Sequence, residues 1–495
     1  MDLRPPRERR RGSWLPLTLS EHSDRTLRAS LRDALKDAIR SGRLTAGSVL
    51  PSTRALAADL GVSRGVVVDA YAHLGEEGFL VSRGGSGTMV SDAAQPATRR
   101  AQPERAVDRT YEIDLRPGPP DLATFPRAAW LTATREVLRA LPDAELGYAS
   151  PWGVAALRDE LAEHLTRVRA AMASPESCLV VNGATQGLTL LVRTLAENGH
   201  KTLAVESPSH SVQRRILGRH GLRVVDVPID EQGIDVDALA RTGCRAVLVT
   251  PAHQYPTGIV LSATRRNALI RWAERVGGII IEDDYNPEFR YDRRPVGCLQ
   301  GFGPEYVVLV GSVSKTLAPG LRLGWLVSPP QLHEALSMAK RDDDFGTGVL
   351  GQHVLAELFA NGGYDRHVRR VRRHYMQRRD VLVSAMAAEL PTWQVSGQAG
   401  GLHVMLRLPP GVDEDRIIAA AAAKGLALQG TRAMYGSLPA EDGVIVSYAR
   451  APRSVLADAV RRLADAAHLI DTTAPPPDAE SLRVVAPAAT ALDYF

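Results

Sequence analysis

The stretch Gly311–Trp325, GSVSKTLAPGLRLGW, sets a lysine among small and hydroxyl residues and places an arginine seven positions on. It continues the apolar run YVVLVGS, which begins at Tyr306 and reads as a buried strand. An amine at such a strand end is a nucleophile only when part of its population is deprotonated, and burial favours that state. Ser312 and Ser314 offer hydroxyls beside Lys315, and Arg322 offers a planar fork that matches phosphate oxygens. These four side chains are candidates for holding a small phosphorylated group.

Similar apolar runs recur on both sides: CLVV from Cys178, TLAV from Thr202, RAVLVTP from Arg245 and GGIIIEDD from Gly277. Amphipathic stretches such as TRRNALIRWAERVG separate them. This alternation predicts a mostly parallel α/β sheet from about Tyr111 to Asp471, with ligand groups gathered at the strands' C-terminal ends. A smaller C-terminal α/β part is expected from about Val354, and residues 472–495 read as a mobile tail. In IIIEDDYNPEFRY, Asp283 and Tyr285 follow the most apolar strand, and Asp284 competes for the carboxylate role. Gly183, Ala184 and Thr185 follow another strand and open a helix, whose backbone N–H groups can hold phosphate.

The N-terminal fifth follows a different logic. After a basic leader, residues 1–14, a domain is expected over 15–90. Leu27, Leu31, Leu35 and Ile39 lie four apart, which predicts a helix over about 24–40. Ser52 is placed to cap a helix over Thr53–Leu60, Gly61 breaks it, and Ser63 is placed to cap a helix running to about Gly75. Two capped helices around a glycine turn form a helix-turn-helix pattern, and FLVSRGGSGTMV after them reads as a hairpin or wing. Residues 91–110, rich in Ala, Pro and charge, read as a linker.

Bulk properties agree with two or three domains in 495 residues. Residues 1–100 carry 16 Lys+Arg against 11 Asp+Glu, while the rest carries 44 against 45, so the first fifth holds the net positive charge. A polyanion partner is expected there. No window is long and apolar enough for a membrane span or a secretion signal, and the expected compartment is the cytoplasm. Cys178, Cys244 and Cys298 have neither disulfide nor metal-ligand spacing, so no metal site is expected.

The run LPSTRALAADLGVSR, with RGGSGTMV after it, resembles the winged helix-turn-helix of the GntR family of bacterial regulators. The ordered motifs around Gly183, Asp283 and Lys315 resemble the aspartate aminotransferase fold, fold type I of the pyridoxal 5'-phosphate (PLP) enzymes. Together they make the chain similar to the MocR subfamily over about Leu15–Ile470, an α/β protein with a small winged domain and a large aminotransferase-like domain. The resemblance implies that Lys315 is the Schiff-base lysine, with Ser312, Ser314, Arg322, Ala184 and Thr185 at the phosphate. It assigns Asp283 to the pyridinium nitrogen, Tyr285 to the ring hydroxyl, and His253 and Tyr255, in TPAHQYPTG, to the cofactor edge. Tyr148, in YASPWG, would reach the phosphate of a neighbouring subunit, which implies a homodimer. On the DNA side, Arg54, Ser63 and Arg64 would meet phosphates and bases of double-stranded DNA, and Arg83 and Gly85 would form the wing contact.

Three positions depart from the family pattern. His210 stands where an aromatic residue usually covers the ring, and Tyr255 replaces an Asn before PTG. Gly443 falls about where aminotransferases keep an Arg for the substrate's α-carboxylate, with Arg432 and Arg450 nearby as candidates to replace it. The expected function is therefore a PLP-dependent DNA-binding transcription regulator that senses PLP itself, or else an amino acid or amine. The alternative is an aminotransferase with an accessory DNA-binding domain, and the pattern leaves residual transamination open.

Overall fold

In the computed structural model of the chain, Leu31, Leu35 and Ile39 line the buried face of α1 (Leu27–Arg40). The structure describes residues 10–11, 18–19, 27–83, 87–92, 111–148, 150–291 and 297–471. Nearly all of the leader, residues 93–110 of the linker and the whole of 472–495 therefore lie outside the described residues. The chain divides into two compact units, Met1–Asp108 and Arg109–Phe495.

In the first unit, α2 (Thr53–Leu60) starts at Ser52, whose hydroxyl accepts from the Ala55 amide at 3.2 Å. The helix stops at Gly61 because that residue adopts a left-handed conformation, φ 61°, which a side chain disfavours. Ser63 occupies the N-cap position of α3 (Arg64–Glu76) but makes no side-chain capping bond. Two antiparallel strands, β1 (Leu80–Arg83) and β2 (Gly87–Val90), form the hairpin. Leu31, Leu35, Leu56, Leu60, Val67 and Leu74 close a single core between the three helices.

The second unit is organised by an eight-stranded sheet. Its strands are β3 (Cys178–Val181), β4 (Thr202–Ser207), β5 (Arg223–Asp230), β6 (Gly233–Ile234), β7 (Ala246–Val249), β8 (Ile279–Asp283), β9 (Val307–Ser312) and β10 (Gly324–Val327). The spatial order is β3-β10-β9-β8-β7-β4-β5-β6. The stretch β9-β8-β7-β4-β5 is parallel, and β10 runs antiparallel to both of its neighbours. Burial on both faces of β3, β7, β8, β9 and β10 explains why they read as unbroken apolar runs rather than as alternation, whereas along β5 only Val227 is buried. Of the helices, α4 (Arg127–Ala140) buries only Ala133, whereas α5 (Ala184–Glu197), α6 (Ser211–Arg219) and α7 (Ala263–Val276) are among those that pack on the sheet.

A long helix, α8 (Gly363–Glu389), leaves this layer. Its Tyr364 packs in a cluster with the large sheet, whereas Val371, Tyr375 and Leu382 belong to a second core. That second core is covered by the antiparallel strands β11 (Gln394–Ser396), β12 (His403–Arg407), β13 (Gln429–Gly430) and β14 (Gly443–Ser447), and by α9 (Arg453–Asp471). The small subdomain thus begins inside α8 rather than near Val354, which packs with the large sheet. It also recruits the start of the unit, since Ile113 and Asp114 pair in parallel with Leu426 and Ala427. The three cysteines are buried and free, and no described helix is long and apolar enough to cross a membrane.

Because Leu35 is fully buried in a small core, Leu35→Ala should destabilise the first unit by about 2–5 kcal/mol. Differential scanning calorimetry of the full chain should show that unit melting earlier while the transition of the second unit stays in place.

Candidate functional site

The parallel strands deliver their C-terminal ends to one edge of the sheet, and the ends of β3, β4, β7, β8 and β9 surround a chamber there. Lys315 lies three residues beyond β9 and lines this chamber half-buried, where its Nζ donates to the Gly118 carbonyl at 2.9 Å. Burial pushes its pKa down to about 8, against the pull of the Asp283 carboxylate, so a sizeable neutral fraction exists near physiological pH.

Asp283 ends β8 and also faces the chamber. Burial raises its carboxyl to about 6, with the Gln213 hydrogen bond acting the other way. That bond, from Gln213 Nε2 to Oδ2 at 2.5 Å, leaves Oδ1 buried without a partner. The Tyr285 hydroxyl is likewise buried and unpartnered, and burial holds its pKa well above the ordinary value. Asp284 points elsewhere and is held by Arg169 at 2.8 and 3.1 Å. Alternation along an extended chain separates the two adjacent carboxylates, one toward the chamber and one toward a buried guanidinium.

At the other end, α5 opens at Gly183, whose φ of 79° and lack of a side chain are both required. A Cβ there would lie 2.9 Å from Arg322 Nη2. Arg322 adopts a left-handed backbone, φ 52°, a conformation that costs a non-glycine residue roughly 1–2 kcal/mol. The turn aims its guanidinium at the start of α5, where Nη2 donates to the Asn182 carbonyl at 2.6 Å. Antiparallel pairing of Ser312 with Gly324 places Arg322 beside the end of β9. Ala184, Thr185, Ser312, Ser314 and Arg322 therefore share one end of the chamber.

The walls include His210 and Tyr255, whose rings lie 5.0 Å apart at 31°. His210 Nδ1 accepts from the Val212 amide, so the ring proton sits on Nε2. Burial and the Lys315 charge lower His210 to about 4, which keeps it neutral at physiological pH. His253 does not line the chamber; its ring packs against Gly258 and Gly401 and lies 6.4 Å from that of Tyr285. Tyr148 is 97% exposed in the single chain, with its ring 6.4 Å from that of Phe345.

Sequence reading passed over several chamber residues, among them Gly118, Gln213 and His403. Gln213 was within reach, since it stands one helical turn after His210 on the same face. His403 comes from the small subdomain, and its Nε2 donates to the Pro256 carbonyl at 3.1 Å, leaving Nδ1 as an acceptor. The expectation about Gly443 requires correction. Gly443 faces Thr431 and Leu406, whereas Ile445, two residues on along β14, packs with Tyr255 and Tyr285, and Ser447 lines the chamber. Arg432 is engaged by Asp413, Asp415 and Asp442, and Arg450 pairs with Asp114 at 2.8 Å.

In the first unit, Arg54, Ser63 and Arg64 are exposed, and Arg64 Nε lies 3.4 Å from Thr53 Oγ1, which brings the starts of α2 and α3 together. Arg83 ends β1; its side chain and Gly85 lie outside the described residues.

Residues 27–90 match the model for bacterial regulatory proteins of the gntR family, and residues 113–468 match that for aminotransferases of class I and II. A pyridoxine biosynthesis transcriptional regulator, PdxR of Corynebacterium glutamicum, is 34% identical over 92% of this chain and 99% of its own length. The chain belongs to the MocR subfamily of GntR regulators. A second such relative, the probable rhizopine catabolism regulatory protein MocR of Rhizobium meliloti, is 30% identical over 91% of this chain and 95% of its own. Among solved structures, the multiple substrate aminotransferase of Thermococcus profundus aligns with TM-score 0.68 at 27% identity, over 73% of this chain and 92% of its own. The α-aminoadipate aminotransferase LysN of Thermus thermophilus, solved with N-(5'-phosphopyridoxyl)-L-leucine, aligns with TM-score 0.66 at 26% identity, over 73% and 93%.

Burying Asp283 without a cation on Oδ1 has a measurable consequence for this MocR-type protein. A carboxyl raised from 3.8 to about 6 costs roughly 3 kcal/mol of stability above pH 6, and the cost fades as pH falls from 6 to 4, below which folded and unfolded forms are both protonated. Asp283→Asn should therefore stabilise the ligand-free protein at pH 7 and lose that advantage near pH 4, as followed by chemical denaturation at both pH values.

Proposed function

We propose that this chain is a PLP-dependent DNA-binding transcription regulator, acting in the cytoplasm, whose chamber senses PLP itself. The observation that carries the reading is the pair of buried, unpartnered atoms, Asp283 Oδ1 and the Tyr285 hydroxyl, facing the same chamber as Lys315. Buried polar groups are normally satisfied, so a vacant acceptor and a vacant hydroxyl call for a ligand with matching groups. PLP has them: a ring nitrogen that can bear a proton, a ring oxygen, an aldehyde and a phosphate.

Asp283 would hold the ring nitrogen in its protonated form, and Gln213 would fix which carboxylate oxygen does so. Tyr285 would donate to the ring oxygen. His210, neutral and planar, would cover the ring face. The phosphate would take the N–H groups that open α5, the hydroxyls of Thr185, Ser312 and Ser314, and Arg322. Bound PLP would supply an aldehyde for the Lys315 amine and a ring able to accept electron density. In a homodimer, the exposed Tyr148 would add a hydroxyl to the partner's phosphate site.

The choice of PLP over an amino acid rests on the wall opposite the phosphate end. That wall carries Ile445, Tyr255, His403 and Leu402, and Arg322, at the other end, is the chamber's lining arginine among the described residues. An amino-acid carboxylate entering there would lose its water without gaining a guanidinium, which disfavours it strongly. The same wall weakens the aminotransferase reading, which sustained turnover of an amino donor and a keto acceptor would restore.

Lys315→Ala should lose the visible absorbance that wild type keeps after dialysis against PLP-free buffer. For wild type, the rate of PLP uptake should rise with pH about a midpoint near 8, because uptake needs the neutral amine. A midpoint near the ordinary lysine value would exclude the buried-amine account. Arg64→Ala should weaken binding to DNA from upstream of the chain's own gene while leaving the absorbance intact.

A further inference from the structure

The aminotransferase-like unit carries a surface that the PLP chamber does not explain. Residues 101–495 are close to neutral as a whole, yet the first 17 residues of α8, GYDRHVRRVRRHYMQRR, contain seven arginines and one acid. Arg378 is buried and bound to Asp121, and Arg372 donates to the Arg290 carbonyl. Arg366, Arg369, Arg370 and Arg373 are exposed instead. Their spacing of three and four places them on one helical face, opposite the buried Tyr364, His367, Val371 and Tyr375.

Among the described residues, none of these four exposed guanidiniums pairs with a carboxylate. Arg366 donates to the Asn361 carbonyl at 3.0 Å, and Arg370 contacts the Thr124 carbonyl and His367 Nδ1, each at 3.2 Å, all neutral acceptors. Asp365, on the same helix, is taken by Arg167 at 2.9 Å. Exposed Arg127, at the start of α4, shares a surface groove with Arg370 and His374 and extends the positive strip. Four like charges on two turns of helix repel one another, so the face is stabilised when a polyanion lies along it.

We propose that this face of α8 is a second DNA contact, gripping the phosphate backbone without reading its sequence. Arg366 and Arg373 are seven residues apart, about 10 Å along the helix at 1.5 Å per residue, a span of about three phosphates of one strand. Guanidiniums suit such contacts because each can engage phosphate oxygens in pairs. The inference rests on the DNA-binding reading of the winged unit and adds affinity and salt dependence to it rather than sequence preference.

The test is the binding of the full-length protein to a long duplex of arbitrary sequence, measured by fluorescence anisotropy over a series of salt concentrations. Replacing Arg366, Arg369 and Arg373 together by Gln should flatten the slope of log K against log salt by about 2 to 3, since each phosphate contact contributes about 0.9. The corresponding triple Lys variant should keep the wild-type slope, because it keeps the charge. Retained visible absorbance after PLP loading shows that both variants are folded. A Gln variant with the wild-type slope overturns the second contact even if Arg64→Ala still loses binding to the upstream fragment. Absence of salt-dependent binding by wild type overturns both this contact and the DNA-binding reading beneath it.

Discussion

A single constraint organises the second unit: an amine and a carboxylate must be kept out of water and facing the same cavity. Asp283, at the end of β8, and Lys315, just beyond the end of the adjacent β9, line the same chamber, and each moves the other's titration. Neither group is comfortable there. Desolvation lowers the lysine and raises the aspartate, and the protein answers with the Gly118 carbonyl on one and Gln213 on the other. The strained backbone at Arg322 and the bare Gly183 serve the same arrangement by bringing a guanidinium and a helix start to the opposite end. A ligand carrying a protonated ring nitrogen and a phosphate dianion relieves both ends at once.

That view connects the fold to regulation. A regulator gains nothing from a tightly bound molecule unless the molecule distinguishes two arrangements of the protein. The chamber is closed by residues from both subdomains, with His403, Leu402 and Ser447 from the small one and Lys315, Asp283 and His210 from the large one. Filling it therefore links the two subdomains, and Ser207 and Ser209 already tie the end of β4 and the loop after it to Tyr435 and Met434 of the small subdomain. The family's enzymes use such a chamber for turnover. On the proposed reading, Ile445, packed with Tyr255 and Tyr285, would leave an amino-acid carboxylate without a guanidinium there.

Much of this was legible in the sequence because it is local. Ser52 and Gly61 bound a helix through contacts within a few residues, and the apolar runs of a doubly covered sheet need no partner to be recognised. The roles of Asp283 and Asp284 separate only when the strand end is built, since the pair is symmetrical on paper and asymmetrical against Arg169. Other features are set by distant packing. His403 enters from a strand some ninety residues beyond Lys315, α8 crosses between two cores without any break in its helical pattern, and Ile445 and Ser447, which share a face of β14 with Gly443, come beside the chamber only because they lie further along the strand. Periodicity gives the faces of an element but not which face meets the chamber.

The most direct measurement is binding of the protein to DNA from upstream of its own and neighbouring genes, titrated with PLP at fixed salt, for wild type and Lys315→Ala side by side. The account predicts that PLP changes the affinity of wild type for one specific fragment and leaves the variant's affinity unchanged. Specific binding by wild type that is indifferent to PLP would contradict it.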